Sequence, residues 1–219
     1  MDKPRLLEER PAREVIEKLK NEYPDAREIL NFSNPLEMMV SIILAARSKD
    51  EAVNACTAEL FKRYRTAKDY ASAKPEDILK YIHGIMFASN KAKSIIGSCR
   101  IIEDKYGGRV PSEMSKLVEL PGIGRKSANT ILINAFGKAE GIPADTHVIR
   151  VSYRLGLADS QQPDEVEASL MKLVDKKDWG RIAYVIKFHG RAVCRAPIPI
   201  CSKCAVASSC QKNGVSNSK

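Results

Sequence analysis

Leu120 to Leu132 read LPGIGRKSANTIL, and the fold turns on this stretch. Leu120-Pro121-Gly122-Ile123-Gly124 joins two helical patterns, 112–119 and 125–136. Gly122 and Gly124 permit a tight turn and the close approach of another molecule, while Leu120 and Ile123 anchor the turn in a core. The first N–H groups of the following helix lack intrahelical partners, which makes the turn a ready anion site with a phosphodiester as its natural occupant. Arg125 and Lys126 then fall in the first helical turn, where a cation opposes the macrodipole at a cost of about 0.3–1 kcal/mol. The same field favours the unprotonated, nucleophilic form of an amine. A plain linker followed by a solvated lysine satisfies this stretch equally well, because short glycine motifs occur by chance.

Outward from the turn, a period near 3.6 dominates and no alternating strand pattern appears. Helices are predicted over 12–22, 35–46, 50–64, 75–83, 89–106, 112–119, 125–136, 146–156, 163–174 and 179–187. Asn34 is the expected N-cap of the second, with Pro35 at its first position and Glu37 reaching back as capping-box partner. That helix is apolar nearly all round, so it should be central and buried. Gly107-Gly108 and Gly137 are expected helix stops. The class is all-α.

Composition bounds the rest. Hydrophobic residues make up 44% of the 219 and charged residues 29%, which excludes a disordered chain. A formal net charge of +9 points weakly to an acidic partner such as nucleic acid. No apolar run reaches the roughly 18 residues of a membrane helix, and the N-terminus MDKPRLLEERPAREVIEKLK has no signal-peptide core. A reducing, intracellular (cytoplasmic) setting without a membrane is expected.

In GIPADTHVIRVSYRLGL, from Gly141 to Leu157, Asp145 stands at the N-cap of a helix starting near Thr146. It caps that helix, and its carboxylate, rigidly mounted, can also stabilise an oxocarbenium-like charge or relay protons. His147 reads as a packing and hydrogen-bonding residue, and Arg150 and Arg154 as structural or phosphate-facing.

Cys56 and Cys99 are isolated, whereas Cys194, Cys201, Cys204 and Cys210 are spaced C-x6-C-x2-C-x5-C. Four thiols this close in a reducing setting suggest a metal site more than a disulfide framework. Chemistry alone does not choose between zinc, the more familiar use of such spacing, and an iron–sulfur cluster. Arg191, Arg195 and Lys203 surround the loop 195–200, a cation-rich element suited to phosphate. A redox catalytic role is disfavoured, since four cysteine ligands leave no open position.

Three of these stretches, in this order, resemble the endonuclease III family of DNA glycosylases. LPGIGRKSAN looks like its helix-hairpin-helix, ADTHVIRVSYRL like its catalytic-aspartate segment with Ala144 in place of the usual valine, and HGRAVCRAPIPICSKCAVASSC like its cluster loop with Ala205 in place of a common proline. The resemblance covers about residue 20 to Cys210. It implies an all-α, two-lobed helix-hairpin-helix fold. A six-helix lobe would span 28–138 with the hairpin at about 112–136, and a second lobe would combine 1–27 with 139–219 and hold the loop 194–210. The active site would lie in a cleft between the lobes. Lys126 would be the nucleophile, Asp145 the catalytic carboxylate, and the four cysteines the ligands of a [4Fe-4S] cluster. Leu120, Gly122, Gly124, Arg125, Arg47, Phe87, Arg191, Arg195 and Lys203 would face DNA.

The implied activity is removal of oxidised pyrimidines from duplex DNA by a monomer, followed by strand cleavage at the abasic site. A monofunctional mismatch glycosylase is the alternative enzyme, disfavoured by Lys126, and a non-catalytic lesion-binding module the alternative outside catalysis.

Two segments depart from the family pattern. LAARSKD, Leu44 to Asp50, puts Arg47 where the family has a glutamine that fills the vacated DNA stack, and Lys49 where it has a small polar residue. Arginine can fill that space or simply contact phosphate. GIMFASNKAKSII, Gly84 to Ile96, puts Phe87 at the position of an apolar wedge and Met86 at a glycine. Phe87 reads equally as a wedge between base steps and as core.

Overall fold

The computed structural model describes residues 3–219; Met1 and Asp2, part of the expected lobe segment 1–27, lie outside the described residues. Among the described residues every regular element is helical. The α-helices are α1 Glu9–Glu22, α2 Pro35–Ala45, α3 Asp50–Arg63, α4 Ala67–Ala71, α5 Pro75–Ile82, α6 Ala88–Tyr106, α7 Met114–Leu117, α8 Arg125–Phe136, α9 Thr146–Leu155, α10 Pro163–Leu173 and α11 Trp179–Ala192. None is long and apolar enough to cross a membrane.

The chain divides into two compact units. One is Ile29–Glu140; the other combines Met1–Glu28 with Gly141–Lys219. Each has its own aliphatic core.

In Ile29–Glu140 the central helix is α2, whose Met38 to Leu44 are all buried. It packs against α3, α6 and α8, as a helix apolar on every face must. Asn34 caps it by accepting from the Glu37 N–H at 3.0 Å. The return bond differs from the expected capping box: the Glu37 carboxylate accepts from the Ser33 N–H at 2.6 Å and the Ser33 hydroxyl at 2.7 Å, one residue upstream. A complete capping box does occur at α4, between Thr66 and Asp69. That five-residue helix was not visible in the apolar periodicity. The segment expected to be helical over 112–119 narrows to the single turn of α7. Gly107 and Gly137 end α6 and α8 in left-handed conformation.

In the other unit α9 packs on α11 and α10, and α1 on α11 and α10. α11 continues past the expected end at 187, through His189 and Gly190. The reason is packing. A Cβ at Gly190 would lie 3.1 Å from His147 and from Val151 of α9, so the missing side chain is what lets the two helices approach.

Candidate functional site

The glycine turn rests on α6 and α2. The Ser98 hydroxyl donates to the Pro121 carbonyl at 2.8 Å. Gly122 has φ +84, and a Cβ there would meet Ser94 at 3.1 Å and Ile43 at 3.6 Å. Gly122 is therefore required by the fold itself. Gly124 is not: its φ is −98 and a Cβ would meet nothing within 4 Å. The open space over Gly124 is available to another molecule.

Gly124 is the N-cap of α8, which has neither a side-chain cap nor an acidic residue in its first turn. Arg125 and Lys126 are exposed there. Ile123 is buried, as expected of an anchor. Leu120 is an anchor as well: its side chain is only 1% exposed, and its carbonyl accepts from the Ile123 N–H, so of its two expected parts the side chain serves the core and the turn.

Arg47 and Phe87 form a second feature of the same unit. Both are exposed, Phe87 at 55%, which sets its core reading aside. Both have left-handed backbone, φ 55 and φ 58, a conformation that costs a non-glycine residue about 1–3 kcal/mol and concentrates at functional positions. The Arg47 guanidinium lies 6.0 Å from the centre of the Phe87 ring.

Lys91 was not singled out by motif, yet it is the best-held charge in this region. Only 6% exposed, it donates to the Leu44 carbonyl at 2.7 Å, the Ala46 carbonyl at 2.6 Å and the Ser48 hydroxyl at 3.0 Å. It thus supplies the cation that the last turn of α2 lacks. Burial pushes the Lys91 pKa below the usual lysine value. Lys91, Ser94 and Ser98 sit three and four residues apart, so one stripe of α6 meets both the Arg47 loop and the glycine turn.

In the other unit Asp145 is the N-cap of α9. Its Oδ1 accepts from the His147 N–H at 2.8 Å and the Val148 N–H at 2.9 Å, which fixes the carboxylate while Oδ2 carries neither bond. Arg150 donates to the Cys194 and Gly190 carbonyls and to His147 Nδ1. Arg154, buried, donates to the Arg195 and Pro197 carbonyls. Both guanidiniums therefore brace the cysteine loop, and the phosphate-facing alternative falls away. Burial lowers the His147 pKa.

Cys194, Cys201, Cys204 and Cys210 line one apolar cavity. Three of their sulfurs have an N–H neighbour: Arg154 Nη1 at 3.7 Å from Cys194, His189 Nε2 at 3.6 Å from Cys204, and the Lys212 N–H at 3.4 Å from Cys210. Tyr23 Oη lies 3.1 Å from His189 Nδ1. The tautomer with hydrogen on Nε2 satisfies both contacts, with the tyrosine donating to the ring and the ring donating to sulfur. Burial pushes His189 down to about 4, so it is neutral at pH 7. It also pushes the Cys204 and Cys210 thiols up, so that a bound metal is what would hold them as thiolates. Arg191, Arg195 and Lys203 are exposed around this loop, with Arg195 Nε spent on the Arg191 and Ala192 carbonyls at the end of α11.

Residues 40–176 match the family described as HhH-GPD superfamily base excision DNA repair protein. The chain is 43% identical over 199 residues to the endonuclease III of Synechocystis sp., covering 91% of each chain. Against that of Bacillus subtilis it is 39% identical, with 90% of each covered. A solved endonuclease III, trapped as a covalent intermediate with DNA in an estranged-adenine complex, superposes with a TM-score of 0.90 at 37% identity, covering 94% of this chain and 97% of that one. Motifs, all-helical architecture and relatives agree: the chain belongs to the HhH-GPD superfamily of base excision DNA repair proteins.

Proposed function

We propose that the chain is a base-excision-repair DNA glycosylase with abasic-site lyase activity, acting as a monomer on duplex DNA and removing oxidised pyrimidines. The observation that carries this reading is Lys126: an exposed cation in the first turn of α8, behind a turn whose second glycine the fold does not require. The relatives that match over nine-tenths of the chain are endonucleases III, and a solved one is bound to DNA covalently.

In the proposed reaction the target nucleotide leaves the stack. The Lys126 amine attacks C1′, the bond from C1′ to the base breaks, and its electron pair leaves with the base, which takes up a proton. Asp145 offsets the positive charge that develops on the sugar. Loss of an amine proton and opening of the ring give a Schiff base. Removal of a C2′ proton then expels the 3′ phosphate oxygen, which cuts the strand 3′ to the lesion. Arg47 and Phe87 would enter the space left by the flipped nucleotide, and the cations Arg125, Arg191, Arg195 and Lys203 would meet phosphates.

Cys194, Cys201, Cys204 and Cys210 would hold a [4Fe-4S] cluster, which when bound staples the C-terminal loop. The N–H groups directed at three of the sulfurs suit anionic thiolates.

Borohydride trapping on an abasic-site duplex tests the lysine chemistry. The wild type should leave a covalent adduct, and Lys126→Ala should bind the duplex without trapping; an adduct in that variant would remove Lys126 from the role. Asp145→Asn separates capping from charge, because asparagine caps a helix as well as aspartate does. It should melt with the wild type and lose base excision by at least about 100-fold. Retained excision would leave Asp145 as a cap alone.

A further inference from the structure

The segment before α1 and the segment after the cysteine loop meet at the C-terminal end of α9. Asn213 holds the backbone of Arg5 from both sides: the Arg5 N–H donates to Asn213 Oδ1 at 3.0 Å, and Asn213 Nδ2 donates to the Arg5 carbonyl at 2.7 Å. The same Nδ2 donates to the Tyr153 carbonyl at 3.0 Å. The Asn213 and Gln211 N–H groups donate to the Arg154 and Leu155 carbonyls at 3.2 and 3.4 Å, and the Leu7 N–H to the Gly156 carbonyl at 2.9 Å. Carbonyls at the end of a helix lack intrahelical partners, and here both segments supply them. Gly156 shows how closely the three strands of chain fit. Its φ is +83, and a Cβ would lie 2.5 Å from Gln211 and 2.8 Å from the Arg5 carbonyl oxygen.

Around this junction the chain lies on the cysteine cavity. Lys212 and Val215 line it together with the four cysteines, and the Lys212 N–H faces the Cys210 sulfur at 3.4 Å. Lys212 and Gly214 have positive φ, 55 and 66, and the Val215 N–H donates back to the Lys212 carbonyl, so the chain turns to bring Val215 over the cavity. Further on, the Lys219 N–H donates to the Pro199 carbonyl at 2.9 Å and the Lys219 carbonyl accepts from the Ser202 N–H at 3.0 Å. Those two bonds straddle Cys201. A segment without regular structure frays unless it is tied down, and this one is tied on either side of the turn at Val215.

We propose that residues 211–219 form a cover over the cysteine site, latched by Asn213 onto the backbone of Arg5. The cover keeps dissolved iron chelators away from the sulfurs and the metal they hold. This rests on the cluster reading above and adds to it a gate whose closure depends on the segment before α1. Releasing the latch opens the site locally, without unfolding the unit that carries it.

The test follows the visible colour of the iron-loaded chain in excess EDTA. Wild type should bleach slowly, and Asn213→Ala and a chain lacking residues 1–7 should each bleach at least about five-fold faster, since each loses the paired bonds between Asn213 and Arg5. A wild-type rate in Asn213→Ala would overturn the cover. A fast Asn213→Ala beside a wild-type rate in the shortened chain would overturn the latch on Arg5. Urea well below the unfolding midpoint separates local opening from unfolding. Bleaching of Asn213→Ala should respond only weakly to it; a rate that climbs as steeply as global unfolding does would make the residue merely stabilising and overturn the cover. Iron and sulfide analysis of wild type, run alongside, separates the two ideas: a chain that holds no cluster overturns the cluster reading, whereas a cluster lost at one rate by all three chains overturns only the cover.

Discussion

Gly122 and Gly124 stand two residues apart and answer to different demands. Gly122 combines positive φ with a neighbour 3.1 Å from where a Cβ would sit. Gly122→Ala should therefore cost about 1–3 kcal/mol of stability, seen as a lower denaturant midpoint. Gly124→Ala has ordinary backbone and open space. It should cost only about 0.5–1 kcal/mol, because glycine outranks alanine at an N-cap, and its main effect should be weaker duplex binding. Full binding by that variant would mean that DNA does not approach the turn as closely as proposed. At this scale the sequence was most legible where the chemistry is contiguous, as in the turn with Lys126 or the cap Asp145. Lys91 was hidden because its meaning lies in carbonyls 45 and 47 residues away. No local pattern marks such a bond. The left-handed backbone at Arg47 and Phe87 was hidden too, since neither is a residue that favours it.

Between elements, the contact of α9 with α11 is set by Gly190. A methyl there meets His147 and Val151 at 3.1 Å, in the helix that Asp145 caps. Gly190→Ala should cost about 1–3 kcal/mol through overpacking, measured as a fall in the urea midpoint. An unchanged midpoint would show that α9 shifts freely, which is incompatible with a rigid mount for Asp145. Glycine is locally a helix stop, and the tertiary approach of α9 overrides that preference. This is why the end of α11 was illegible while the bounds of α8, from Gly124 to Gly137, were read correctly. α4 escaped notice for a different reason: a helix of one turn or so has too few apolar positions to show a period, and only its capping box announces it.

For the molecule as a whole, the all-α class was legible because 3.6 periodicity recurs along the chain, and the candidate cysteine site because its four members are close in sequence. What spacing could not supply was which metal such a site would take. The purified chain should be coloured and carry about four irons with matching sulfide; a colourless chain with a single zinc would overturn the cluster. His189→Ala removes the ring nitrogen 3.6 Å from the Cys204 sulfur, and it should shift the cluster's reduction potential without abolishing assembly.

The division of the chain also has an outcome in time. One unit, Ile29–Glu140, is continuous, while the other draws on both ends of the polypeptide. During synthesis α1 emerges first yet packs on α10 and α11, which emerge last. On the order of a hundred residues separate them, so at roughly 5–20 residues per second the nascent amphipathic helix waits on the order of ten seconds for its partners. Throughout that interval its apolar stripe of Ala12, Val15, Ile16 and Leu19 has no native cover on the ribosome, and it is there that a chaperone would find this protein.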